Sequence, residues 1–313
     1  MLHNFIICVN AVVPSAIYLI IGILLRMFKV IKEEEVKRFT HVVFVTLYPF
    51  MMFDNIYGRD VQEYLRVGFV GYAEGFTLLE IVAAFIAVCL VVKDNYDRGA
   101  MIQAIFRSNI VLMGLPIAIN LFGKSRVAPV AVVILFVVST YAVASVILFE
   151  KFRGGHVDAV DLAKRIITNP IIVGGLAAII AILLKIQLPE IIAQTVSSLS
   201  DCTAPIAMIL LGAGLNIDDF TSDRKKLAFC SVGKLAVAPI FGITGAVLLG
   251  MRDVELIAIV LMTASPTALA SYAMASSMGG NGKLAGEIVV VTTIISCFTI
   301  PVWLFALKTM GMF

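Results

Sequence analysis

The chain has 313 residues, of which 60% are hydrophobic and 14% charged, with a formal net charge of +3 and a mean hydropathy of +1.02. Such a composition excludes an ordinary soluble domain and points to a polytopic membrane protein, in which the distribution of Lys and Arg says more than their sum. Nothing indicates a nucleic-acid partner. The five cysteines stand singly and the three histidines lie far apart, so neither a disulfide framework nor a metal or cofactor site is expected.

Apolar runs of about 17 to 25 residues read as membrane helices, and they fall near 5–27, 39–57, 67–92, 108–122, 127–149, 166–187, 190–215, 227–250, 254–278 and 284–307. The first is longer than a signal-peptide core and lacks a basic lead. The expected fold class is therefore an all-α polytopic membrane protein with ten spans. Placing both termini outside puts most of the 24 Lys and Arg on the cytoplasmic side, including Arg26, Lys93, Arg107, Lys151, Lys225, Lys226, Lys234 and Lys283. That is what the positive-inside rule requires.

Division at the polar loop EKFRGGHVDAVDLAKR leaves five spans in each half. Five is odd, so the second half enters the membrane inverted. The expected domains are a five-helix repeat over 1–149, a cytoplasmic connection over 150–165 and an inverted repeat over 166–313. Prolines agree with this register: Pro14 and Pro170 fall in the first span of each half, Pro49 and Pro205 in the second, and Pro116 and Pro266 in the fourth.

Within the third span, Glu80 lies about thirteen residues from the start, and Lys234 lies several residues into the eighth. Ionisable groups inside a span are costly and mark function by default. The two fit a buried pair; Glu80 also fits a structural hydrogen bond, and Lys234 a side chain that snorkels to the surface.

The fourth span, RSNIVLMGLPIAINLFG, carries Asn109, Gly114 and Pro116 within eight residues, and the ninth carries Ser265, Pro266 and Thr267 in the corresponding place. Proline removes a backbone donor and glycine loosens the helix. At membrane depth a broken helix is tolerated where protein or a water-filled cavity supplies partners, and two such breaks mark a transporter's central site; a simple kink in each helix is the competing reading. Asn109 reads either as a helix cap or as an amide that orients a carboxylate. Half-helix N-termini favour anions, so these six residues form the expected binding set. HExxH, GxSxG and Walker-type sequences are absent, which argues against an enzyme or an ATP-driven pump.

In this order, GILLRMFKVIKEEEVKRFTHVVFVTLYP, NIVLMGLPIAINLFG, TNPIIVGGLAAIIAILLKIQLP, APIAMILLGAGL, KLAVAP and VVVTTIISCFTIP resemble the auxin efflux carrier family. That family takes in plant PIN proteins and bacterial malate or malonate permease-like carriers. The resemblance implies a fold like that of sodium/bile-acid symporters and sodium/proton antiporters. Spans 1, 2, 6 and 7 would be scaffold, spans 3–5 and 8–10 a moving transport domain with crossing helices 4 and 9, and the assembly a homodimer. Asn109 matches the asparagine that holds the substrate carboxylate in PIN proteins, and Lys234 matches a basic position of the family. ASPTALASY replaces the plant LPQGIVPF, and the central loop is short, so a small carboxylate fits better than auxin. The expected function is secondary transport of small organic anions across the cell membrane; a membrane receptor that binds a ligand at the crossed helices is the alternative.

Overall fold

The structure, a computed structural model, describes residues 2–57, 67–153, 167–214 and 224–313 together with Val160 and Lys164. All regular structure in them is helical. In chain order the helices are α1 (Leu2–Met27), α2 (Glu33–Ile56), α3 (Val67–Val91), α4 (Asn95–Phe106), α5 (Leu115–Phe122), α6 (Ala128–Arg153), α7 (Pro170–Leu183) and α8 (Glu190–Gly214). They continue as α9 (Arg224–Val232), α10 (Ala238–Leu248), α11 (Asp253–Ala264), α12 (Ala270–Ser277) and α13 (Gly282–Thr309). Most of the expected connection over 150–165 lies outside the described residues; α6 runs to Arg153.

Among the described residues, six runs are long and apolar enough to cross a membrane: Val9–Met27, Gly68–Val91, Ala128–Arg153, Glu190–Gly214, Arg224–Leu248 and Gly282–Thr309. Burial is arranged for a hydrocarbon solvent. Leu90 is 81% and Leu248 80% exposed, while Lys234 is 0%, Glu80 6% and Glu287 5% exposed. Lipid accommodates the leucines and would not accommodate the charges. The chain is therefore a multi-pass membrane protein. α3 shows how one helix meets both demands: Ala73, Thr77, Glu80, Ala84 and Val88 form an inward stripe, and Leu78, Leu79, Val82, Ile86 and Leu90 face outward.

The helices sort by packing. α1 and α2 both pack on α8, and α2 also packs on α7. These contacts are backbone against backbone: a Cβ on Gly22 would collide with Ile209 and Ala213, one on Gly212 with Leu19, and one on Gly174 with Pro49. The remaining helices pack on α11 or on its neighbours: α5, α6, α10 and α13 on α11 itself, α3 and α4 on α6, and α9 and α12 on α13; residues Leu256 to Ala264 of α11 are all fully buried. A helix apolar all round belongs in such a core.

Two helical runs are interrupted. α4 stops at Phe106 and helix resumes at Ile110, while α11 stops at Ala264 and α12 starts at Ala270. The fourth run therefore begins at Asn95 rather than 108, and its break falls at 107–109 rather than at Gly114 and Pro116. The sequence NYDRGAMIQAIF looks like a loop because it is polar at its start. Folding removes that polarity: Asp94 caps α4 by accepting from the Tyr96 N–H at 2.9 Å. Buried Asp97 accepts from Lys226 at 2.6 Å and from Asn281 at 2.7 Å.

Candidate functional site

The two interruptions meet and complete each other. The Asn109 N–H donates to Pro266 O at 2.7 Å, and the Ala268 N–H donates to Arg107 O at 2.9 Å. Together they make an isolated antiparallel bridge between Ser108 and Thr267. Thr267 adds its hydroxyl, donating to Ala104 O at 2.6 Å, and its N–H donates to Thr292 Oγ1 at 3.2 Å. Backbone groups freed by each break are thus paired within protein, the condition for non-helical chain at membrane depth.

The local causes differ between the two breaks. Pro266 stands in the gap itself. Pro116 lies beyond its gap, after a π-helical turn over Ile110–Gly114, near the start of α5. Pro239 repeats that arrangement after a π-helical turn over Gly233–Val237. In each case the wider turn accommodates a ring that would crowd the carbonyl four residues back. The carbonyl left without its usual donor by Pro239 is Leu235 O, and Trp303 Nε1 reaches it at 3.3 Å. Gly114 has ordinary helical angles and serves approach rather than flexibility: a Cβ there would lie 3.2 Å from Ser265 Oγ and 3.3 Å from Leu261 Cβ.

Against the meeting point lies a cavity of about 820 Å³, bounded by Arg107, Ser108 and Asn109 from one break and Ala268, Leu269 and Ala270 from the other. Apolar side chains including Phe44, Leu112, Val138 and Leu210 form much of the remaining wall, and Arg26, Lys283 and Glu287 line it too. Of the expected binding set, Asn109 lines the cavity. Gly114, Pro116, Ser265, Pro266 and Thr267 do not; they build the joint behind it.

Asn109 does not cap a helix with its side chain. Its Nδ2 is buried without a hydrogen-bond partner among the described residues, and an orphaned buried donor on a cavity wall suits a ligand oxygen. Arg107 is the residue that sequence reading misplaced, counting it as a cytoplasmic loop charge. Its Nη1 lies 3.4 Å from Ser145 Oγ, and among the described residues no carboxylate sits within ion-pair distance of it. The signal that would have found it was the Asp94 cap, which starts the helix that carries Arg107 to the cavity.

Glu80 and Lys234 lie outside the cavity wall but close together, Lys234 Nζ being 3.5 Å from Glu80 Oε1. Lys234 does not snorkel; it is fully buried within its π-helical turn. Among the described residues the second oxygen of Glu80 has no partner.

Residues 156–304 match the sequence family described as membrane transport protein. A protein of Rhizobium meliloti (strain 1021) named "Putative malonate transporter" is 23% identical over 277 residues, which is 86% of each chain. An uncharacterized transporter of Methanocaldococcus jannaschii is 21% identical over 303 residues, 94% of this chain and 97% of its own. The resemblance to the auxin efflux carrier family holds. A transporter of Methanothermobacter thermautotrophicus, also uncharacterized, extends it, with 22% identity over 302 residues, 94% of this chain and 96% of its own. The likeness of this membrane protein is thus to transport proteins, and it spans both interrupted runs.

Proposed function

We propose that the chain is a secondary carrier of small organic anions across the cell membrane, with carboxylates such as malonate or malate as substrates. The observation that carries this reading is the placement of Arg107 and the unpartnered Asn109 amide on one cavity wall, where two broken helices join. A guanidinium offers a fixed fork of donors to a carboxylate, and Asn109 adds an uncharged donor. Malonate heads the panel because one relative's name carries it.

The carrier reading takes the fold as ten spans in two inverted five-helix repeats, both termini outside, assembled as a homodimer on the strength of the resemblance. Spans 1, 2, 6 and 7 are α1, α2, α7 and α8; their glycine-mediated backbone contacts suit a rigid scaffold. The helices around α11 then move as one body, elevator-fashion, carrying the cavity wall formed by 107–109 and 268–270.

The test is flux into proteoliposomes presented with external radiolabelled malonate, malate or succinate. Saturable uptake above empty liposomes is the expected result. Saturable binding without flux would replace the carrier by a membrane receptor using the same cavity.

A further inference from the structure

Gln103 is fully buried on α4, one turn before the break. Its amide orientation follows from its surroundings. With the oxygen turned toward Arg107 it accepts from Arg107 Nη1 at 2.9 Å and lies 2.8 Å from Ser145 Oγ, while its nitrogen donates to Ser271 O at 3.2 Å. The opposite orientation sets donor against donor. One neutral side chain therefore grips the guanidinium from α4, touches α6 through Ser145 and reaches α12 beyond the second break.

The position is unusual for what it withholds. A guanidinium at membrane depth is ordinarily paired with a carboxylate, and residue 103 is placed to supply one. A Gln there fixes the fork by hydrogen bonding and leaves its charge uncompensated. No described carboxylate lies within ion-pair distance of the fork, which faces the cavity. Resting on the anion-carrier reading, we infer that Gln103 is the positioning residue that keeps the charge of Arg107 available to the substrate. Among its hydrogen-bonding neighbours Arg107 alone is charged.

Substitution separates this role from a structural one. Gln103→Glu retains an acceptor for Arg107 and adds the missing charge, whereas Gln103→Met keeps the bulk and removes every hydrogen bond. If Gln103 only held the helices together, Met would be the more harmful change by every measure. If it preserves the free charge, the two measures separate. Thermal stability of the purified protein then ranks Glu above Met, and binding of radiolabelled malonate ranks wild type above Met above Glu. The Glu variant falls by roughly ten- to a hundredfold, the range for hydrogen bonds to a charged group.

Should Gln103→Glu fail to fold, Gln103→Met still decides. Binding weakened several-fold with the protein still monodisperse supports the inference, and unchanged binding overturns it. Binding that tracks stability in both variants also overturns it. Wild type that binds none of malonate, malate or succinate overturns the anion-carrier reading itself, and this inference with it. Wild type that binds malonate while Gln103→Glu binds equally well overturns the inference alone.

Discussion

Asn109 gives its backbone N–H to Pro266 at 2.7 Å and keeps its side-chain Nδ2 buried without a partner. The backbone holds the joint, and the side chain is left for something else. Replacing Asn109 by Ala removes the amide and spares the backbone bonds. We expect binding of the transported anion to weaken by about 1 to 3 kcal/mol, the range for leaving one buried partner unpaired, with little loss of thermal stability. A purified Asn109→Ala protein that binds as tightly as wild type would remove the side chain from the site.

Gly114 and Pro116 answer to a different test, because they pack the joint instead of facing the cavity. A methyl group on Gly114 would stand 2.9 Å from Ile110 Cγ1 as well as against Ser265 and Leu261. Gly114→Ala should therefore cost about 1 to 3 kcal/mol of stability through overpacking, and Gly114→Val more. Pro116→Ala should be milder for binding than Pro266→Ala, since only Pro266 lies in a gap. Thermal melts and malonate binding on the four variants check the order; equal binding losses at Pro116 and Pro266 would place both at the crossing.

How much of this was legible in the sequence depends on which interactions decide it. Six of the apolar runs were legible because lipid selects them by composition alone, and a Glu80–Lys234 pair was open to expectation because both are costly charges inside apolar runs. The break at 107–109 was not. Its helix, α4, is stabilised by tertiary partners of Asp97 on α9 and just before α13, which no local pattern reveals. Proline was a misleading guide at 116 for a related reason: a π-helical turn accommodates the ring without breaking the run. Arg107 and Gln103 went unread as a consequence, since Gln103 lies on a helix taken for a loop and Arg107 directly follows that helix.

Lys124 links the two groups of helices at one end of the molecule. It follows α5 and pairs with Asp54 of α2 at 3.1 Å and, more closely, with Asp201 of α8; Ser197 Oγ lies 3.4 Å away. Partial burial pulls the ammonium pKa down, but hydrogen bonds to Asp201 and Asp54 and the charges on both outweigh it, so the pKa stands above that of an ordinary lysine. A raised folded pKa means the contribution is complete below the unfolded lysine value of about 10.4 and fades as pH rises through the folded one. Lys124→Met should lower stability by about 1 kcal/mol, by a constant amount across neutral pH, and on the alkaline side the gap should close only in strong alkali. In the carrier reading the same substitution frees one end of the moving body, so exchange between its two positions should speed up. A melting difference between wild type and Lys124→Met that varies between neutral and mildly alkaline pH would rule out this use of the ammonium.

Glu80 and Lys234 bear on coupling. Their side chains are 5% and 0% exposed, and each comes from the body that the carrier reading takes to move. Neither interrupted segment holds an Asp or Glu between 107 and 114 or between 265 and 270, so a sodium ion at the joint would find no carboxylate in either break. Lys234 instead supplies a fixed internal cation opposite Glu80, and we expect transport to proceed without Na⁺. Removing one member strands the other, at about 3 to 5 kcal/mol. Glu80→Gln and Lys234→Met should each impair folding or flux, and the double variant should recover part of the lost stability because no charge is then left unpaired. A double-mutant cycle on melting temperature, run beside flux in sodium-free liposomes, measures both halves of the claim. Strictly additive losses would mean that the two charges do not support one another, and an absolute requirement for Na⁺ would mean that the ion binds where this pair was taken to replace it.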